Sequence, residues 1–238
     1  MNLLKHTLDF FFSLRTTLWI LGLLLLLLFA GAFVMPGRQE FQALHSIPLF
    51  DWLHEQSMGI TWWLWGLIGI LVLLTLNTLF CSVESIIKKR KVTQWLLLIS
   101  PQVIHMGFLF MLFAHLMSAL GASQSNAVAG EGSVVMLSDN ETTVKVKNIN
   151  IQLDYYGYVT DWEVGIEYFS EGKQFGNDII KPNNPSVQKG FNINVKDLRA
   201  SPVEAVLLQI NREPGALWAL VGGVLFMVGI VTLILLKI

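Results

Sequence analysis

The sequence predicts a membrane protein. Four transmembrane α-helices are expected, with one extracytoplasmic small antiparallel β domain between helices three and four. Three observations predict it. Four apolar runs, Thr17–Val34, Ile60–Leu79, Trp95–Leu120 and Ala216–Leu236, are almost free of charge. Each is long enough, at 1.5 Å per residue, to cross about 30 Å of hydrocarbon. The stretch 122–213, between the third and fourth runs, is ordinary polar sequence carrying short alternating patterns. The densest basic cluster, Lys88-Lys89-Arg90-Lys91, lies between the second and third runs, and positive residues prefer the cytoplasmic side.

Composition agrees. The chain is 53% apolar and 14% charged, with a formal net charge of −1. Few charges fit a membrane protein, and a near-neutral balance gives no electrostatic footprint for nucleic acid. The single cysteine, Cys81, excludes an internal disulfide, a CxxC redox pair and a covalent CxxCH haem site.

Residues 1–121 are expected to hold an amphipathic N-terminal segment and helices one to three, at about 17–34, 60–82 and 95–120. Residues 122–213 form the β-rich domain, and 214–238 the fourth helix. The lead-in, residues 1–16, mixes Lys5 and Arg15 with Leu and Phe and is expected at the membrane surface. Ala30-Gly31-Ala32 resembles a cleavage site, but the apolar run is long for a signal peptide, so the segment is expected to be retained. With Lys88–Lys91, Lys5, Arg15 and Lys237 inside, both termini are cytoplasmic and 122–213 faces outward, the periplasm in a bacterium.

The second run opens on Thr61-Trp62-Trp63-Leu64-Trp65. An interfacial aromatic belt is the ordinary reading, and a platform for a flat ligand the alternative. Cys81 reads as a small packing residue.

In 122–213 the apolar residues alternate in four groups. These are Val144 to Leu153, Trp162 to Tyr168, Phe191 to Val195 and Val206 to Ile210. Turn signals separate them at Ser138-Asp139-Asn140, Glu171-Gly172-Lys173 and Lys181–Pro185. This stretch has no histidine, cysteine or phosphate loop, so docking, or shaping the outer mouth of the membrane part, is its expected role. On the fourth helix, Gly215, Ala219 and Gly223 make a four-residue stripe suited to close helix packing.

Two histidines, His105 and His115, lie in the third run. Ionisable groups inside a bilayer are costly and therefore candidates for function. His105 lies about 15 Å into the span and His115 about 15 Å further along. One reading pairs each with a neighbouring helix; for His105, Asn77 and Gln102 are the available polar groups. The sharper reading is haem ligation, with His105 as the first axial ligand candidate and His115 the weaker. Axial ligands of one iron face each other about 4 Å apart, so these two cannot share an iron. His6, His45 and His54 lie at other depths. The second ligand is then absent, a methionine, or a histidine from a partner subunit.

Several pieces resemble the ResB/CcsB family of system II cytochrome c biogenesis, in a short form. They are Phe11–Gly31, Leu76-Asn77-Thr78-Leu79-Phe80-Cys81-Ser82, Ile104-His105-Met106-Gly107-Phe108 and Asn211–Trp218. The resemblance implies a haem-handling subunit, not a complete enzyme on its own. It would help carry haem b across the bacterial inner membrane and present it for attachment to apocytochrome c. It also implies a ResC/CcsA-like membrane partner, whose tryptophan-rich motif is not present here, and places the family's membrane histidine on His105. The external domain is smaller than the family's usual one. Two alternatives stand beside this. One is a b-type haem anchor passing electrons to a periplasmic multihaem cytochrome; the other is a haem-free structural anchor.

Overall fold

A computed structural model of the protein describes residues 14–88, 95–200 and 202–236. The lead-in up to residue 13 with Lys5 and His6, the cluster residues Lys89-Arg90-Lys91, and Lys237 lie outside the described residues. The chain divides into two compact units. One comprises the described residues of Met1–Leu44, Pro48–Leu120 and Pro214–Ile238, and the other His45–Ile47 with Gly121–Glu213.

The first unit is helical. Helix α1 spans Leu14–Val34; a 3-10 helix (Gln39–His45) and the short α2 (Leu49–Glu55) follow; α3 spans Met58–Lys88, α4 Trp95–Gly121 and α5 Ala216–Leu235. Four of these, α1, α3, α4 and α5, are long and apolar enough to cross a membrane. Helix α3 runs past the expected end near residue 82, because Val83–Lys88 contains no glycine or proline to stop it.

Antiparallel packing of α1 on α3 is keyed by one close approach. A Cβ on Gly31 would overlap the Trp63 ring. Further along the pair, Thr17 Oγ1 donates to Asn77 Oδ1 at 2.8 Å. Trp63 is buried while Trp62 and Trp65 are exposed. The ring of Trp63 lies 6.1 Å from Phe41, and Phe41 lies 5.1 Å from Trp52. Trp52 Nε1 donates to the Glu40 carbonyl at 2.9 Å. This aromatic cluster ties the 3-10 helix and α2 to the start of α3, two elements for which the loop sequence carries no long periodic signal.

Helices α4 and α5 meet along small residues spaced by seven. Ser100, Gly107 and Ala114 are the buried positions of α4, and Gly215, Gly222 and Gly229 answer them. A Cβ on Gly222 would come within 2.7 Å of the Gly107 carbonyl oxygen, and one on Gly215 would overlap the Ala114 carbonyl. One on Gly229 would meet Ile104 at 2.6 Å. Gly223, by contrast, has open space around it. The seam therefore follows 215, 222 and 229, not the expected 215, 219 and 223. A seven-residue repeat nearly closes two helical turns, so it keeps one line facing the partner, whereas a four-residue repeat drifts around the helix. Trp218 closes the seam at one end, stacked on Phe110 at 5.7 Å and edge-on to Phe113 at 5.3 Å.

Among its described residues the second unit carries eight strands in two four-stranded antiparallel sheets, ordered β1-β8-β7-β6 and β2-β3-β4-β5. The strands are β1 (Ser123–Ala129), β2 (Val134–Met136), β3 (Thr142–Leu153), β4 (Val159–Ser170), β5 (Lys173–Ile180), β6 (Ser186–Gln188), β7 (Phe191–Arg199) and β8 (Ala205–Arg212). One core is built from both sheets, with Val144, Val146, Val164, Ile166 and Tyr168 from one and Ile193, Val206, Leu208 and Ile210 from the other. Val144, Val146 and Ile149 change phase in the sequence because a bulge between Val146 and Asn148 inserts an extra residue, returning Ile149 to the core side. Strands β1, β2, β5 and β6 lie beyond the four alternating groups. β1, for example, reads Ser-Gln-Ser-Asn-Ala-Val-Ala and fully buries only Ala129.

Positive φ at Glu171 and Gly172 closes the β4–β5 hairpin, the backbone a two-residue type I′ turn requires. At the β2–β3 turn, Asp139 accepts from Thr142 N at 2.9 Å, Thr142 Oγ1 at 2.7 Å and Glu141 N at 3.1 Å. Partial burial pushes the Asp139 pKa up, but these bonds and the charge of Arg212 outweigh it and hold it below the ordinary value.

Gly222→Ala is expected to lower stability by about 1–3 kcal/mol through backbone overlap, whereas Gly223→Ala is neutral or mildly stabilising; thermal melts in detergent compare them. Because the folded state favours ionised Asp139, its contribution is full above the ordinary carboxylate value and is lost as pH falls through the lower folded value. Asp139→Ala should therefore cost about 1 kcal/mol near neutrality, and the gap from wild type should close in melts taken at progressively lower pH.

Candidate functional site

Apolar helix surfaces leave few places for chemistry in the helical unit, and one stands out at the α3–α4 contact. His105 on α4 is half-buried, and its Nδ1 lies 2.8 Å from Ser82 Oγ on α3. Ser82 Oγ also donates to the Thr78 carbonyl at 2.8 Å. A carbonyl can only accept, and a serine hydroxyl has one proton, which serves either Thr78 or His105. With that proton on Thr78, the hydroxyl accepts from His105 and Nδ1 is the protonated ring nitrogen. The lone pair is left on Nε2, which no described residue hydrogen-bonds. That is the tautomer of a metal-ligating or proton-accepting imidazole whose ring is oriented through its other nitrogen.

Helix geometry sets this pair up. Ser82 is one turn beyond Thr78, so its hydroxyl reaches back to the i−4 carbonyl, as Thr75 does to Leu71 and Thr78 to Leu74, each at 2.8 Å. Gly107, two residues after His105, is one of the points where α4 meets α5 backbone to backbone, so the turn that carries His105 is pinned from two sides.

The partners differ from those expected. Asn77 accepts from Thr17 on α1. Gln102, one turn before His105, keeps both amide atoms buried without a hydrogen-bond partner. His115 is exposed on α4. His54 is exposed and its Nδ1 lies 2.6 Å from the Phe50 carbonyl, and His45 is exposed as well. Among the described residues no group of three or more His, Cys, Asp or Glu side chains is placed to hold a metal. The donor set fits a ring-oriented single histidine, not a complete multi-ligand site. Ser82 was the residue missed from sequence. Its signal is faint: a hydroxyl near the C-terminal end of one long apolar helix, and a histidine in the first half of the next.

No protein-family model matches the chain, and no curated protein matches it. Among solved structures the chain is similar to one described as "Cytochrome c Heme Lyase CcmF", at 12% identity and a TM-score of 0.48. The similarity covers 93% of this chain and 34% of that one, so the chain spans about a third of that protein's length. Similarity at this level supports no functional assignment.

Proposed function

We propose that this chain is a haem-handling membrane subunit of cytochrome c maturation, of the ResB/CcsB kind, acting with a ResC/CcsA-like partner that completes the chemistry. The observation that carries the reading is the Ser82–His105 hydrogen bond, which orients the imidazole and, with the serine proton on Thr78, leaves the Nε2 lone pair available. His105 is the residue that would hold haem iron. When bound, the haem supplies the group to be attached to apocytochrome c; the chain's own residues orient the ring and line the contact with apolar surface. The basic cluster Lys88–Lys91 supports an inner-membrane topology with both termini cytoplasmic and 122–213 periplasmic.

The same bond favours a second reading, a haem-free anchor in which Ser82 and His105 clamp α3 to α4. Interhelical hydrogen bonds of this kind are worth about 0.6–2 kcal/mol in membrane proteins.

Absorption spectra of the protein purified with its co-purifying partners, oxidised and dithionite-reduced, separate the two readings. A b-type spectrum in wild type, lost in His105→Ala and retained at roughly 10–100-fold weaker haem affinity in Ser82→Ala, is the expected result. A wild type without haem while its partner is present, or a spectrum unchanged in His105→Ala, removes the haem reading and leaves the clamp.

A further inference from the structure

The β3–β4 hairpin is longer than the sheet that carries it. β2 pairs with β3 only as far as Lys145, and β5 pairs with β4 only as far as Val164. Beyond them, Asn150↔Glu163, Ile151↔Trp162 and Gln152↔Asp161 continue as a two-stranded ribbon. Ile151 and Trp162 pack partly on the core, and past them the ribbon carries Leu153 and a tip reading Asp154-Tyr155-Tyr156-Gly157-Tyr158.

Its three tyrosines are 96%, 80% and 72% exposed in chain order. Aromatic side chains are normally among the largest contributors to buried area, so three at one tip need an account. The turn that presents them is well bonded. Asp154 Oδ1 accepts from Tyr156 N at 2.9 Å and Tyr158 N at 2.8 Å. Asp154 N donates to the Tyr158 carbonyl at 2.8 Å, and Gly157, at φ +84°, donates to the Asp154 carbonyl at 3.0 Å. Tyr155 and Tyr156 meet edge-to-face at 5.5 Å. The rings are held out by an ordered backbone, which reduces the entropy cost of binding something against them.

Charge narrows what that something is. Residues 150–163 contain Asp154, Asp161 and Glu163 and no lysine or arginine. Lys181 pairs with Glu163 and also lies within reach of the Asp161 charge, so one cation stands against three carboxylates, and among the described residues Asp154 has no ion pair. The tip is thus aromatic and anionic together. An anionic lipid surface would repel it, and a projecting ribbon has no concavity for a small molecule. Aromatic faces beside carboxylates suit lysine and arginine side chains, through cation–π contact and ion pairing at once.

We infer that the tyrosine tip of the β3–β4 hairpin is a docking site for a basic, Lys/Arg-bearing polypeptide segment. This inference is independent of haem and of His105. The full chain in neutral-lipid nanodiscs, titrated into a fluorescein-labelled peptide of alternating Lys/Arg and Gly/Ser, tests it by anisotropy at low salt. Wild type should bind. The combined Tyr155→Ser, Tyr156→Ser, Tyr158→Ser variant should bind roughly tenfold more weakly, and the corresponding Phe variant should retain binding. Asp161→Asn should weaken it by about threefold, and a matched Glu/Ser peptide should not bind. The substituted tyrosines are exposed, so melting curves should not change. Equal binding by wild type and the Ser variant, no binding by wild type, or tyrosine-dependent capture of phosphatidylcholine or phosphatidylglycerol vesicles in place of the peptide would each overturn the proposal.

Discussion

A hydrocarbon layer offers no water, so a polar side chain carried into a span depends on the protein for its hydrogen bonds. That constraint organises the helical unit. Thr75, Thr78, Ser82 and Ser100 all turn back to the carbonyl four residues earlier. Thr17 and Asn77 satisfy each other between α1 and α3, and Ser82 and His105 do so between α3 and α4. The α4–α5 contact relies on something else: glycines that allow backbone against backbone, where dispersion between close surfaces replaces the missing hydrophobic drive. Against this background the buried, unpartnered amide of Gln102 and Trp63 Nε1 are the places where the constraint is not met by the described residues.

The three ways of joining helices differ in what they permit. A glycine seam is dry and close, and a hydrogen bond between amide and hydroxyl fixes register. The Ser82–His105 pair fixes register too, but only one imidazole nitrogen is spent on it. His105 is therefore both a structural group and a chemically available one, which is why a single bond supports both the haem reading and the clamp. The stretch 122–213 has neither histidine nor cysteine; its distinguishing feature is a rigid aromatic tip.

How much of this was legible beforehand depends on the length of each signal. The four long helices are written in runs of twenty or so apolar residues, and no local detail competes with that. In the β unit, the strands whose alternation was visible hold most of the core: Val144, Val146, Val164, Ile166, Ile193, Leu208 and Ile210 are all buried. Strands such as β1 and β5 were hidden because most of their residues stay at least partly exposed, so pairing is imposed by neighbours and not by their own pattern. The glycine seam was misread because several small residues on one helix offer more than one stripe, and only the partner decides which is used. His105 was found from the cost of placing it, but Ser82 was not. A serine in a helix is unremarkable until the crossing of α3 and α4 brings it within 2.8 Å of an imidazole.

One proton decides what His105 can do. If Ser82 Oγ gives its hydrogen to Thr78 and accepts from His105, the imidazole is protonated on Nδ1 and bare on Nε2. Nitrogen NMR of the histidine-labelled protein in lipid, with His105→Ala used to assign the signal, reads this directly. A protonated Nδ1 and an unprotonated Nε2 at neutral pH, changing in Ser82→Ala, is the expected result. A His105 signal with the proton on Nε2, or one indifferent to Ser82, would contradict it.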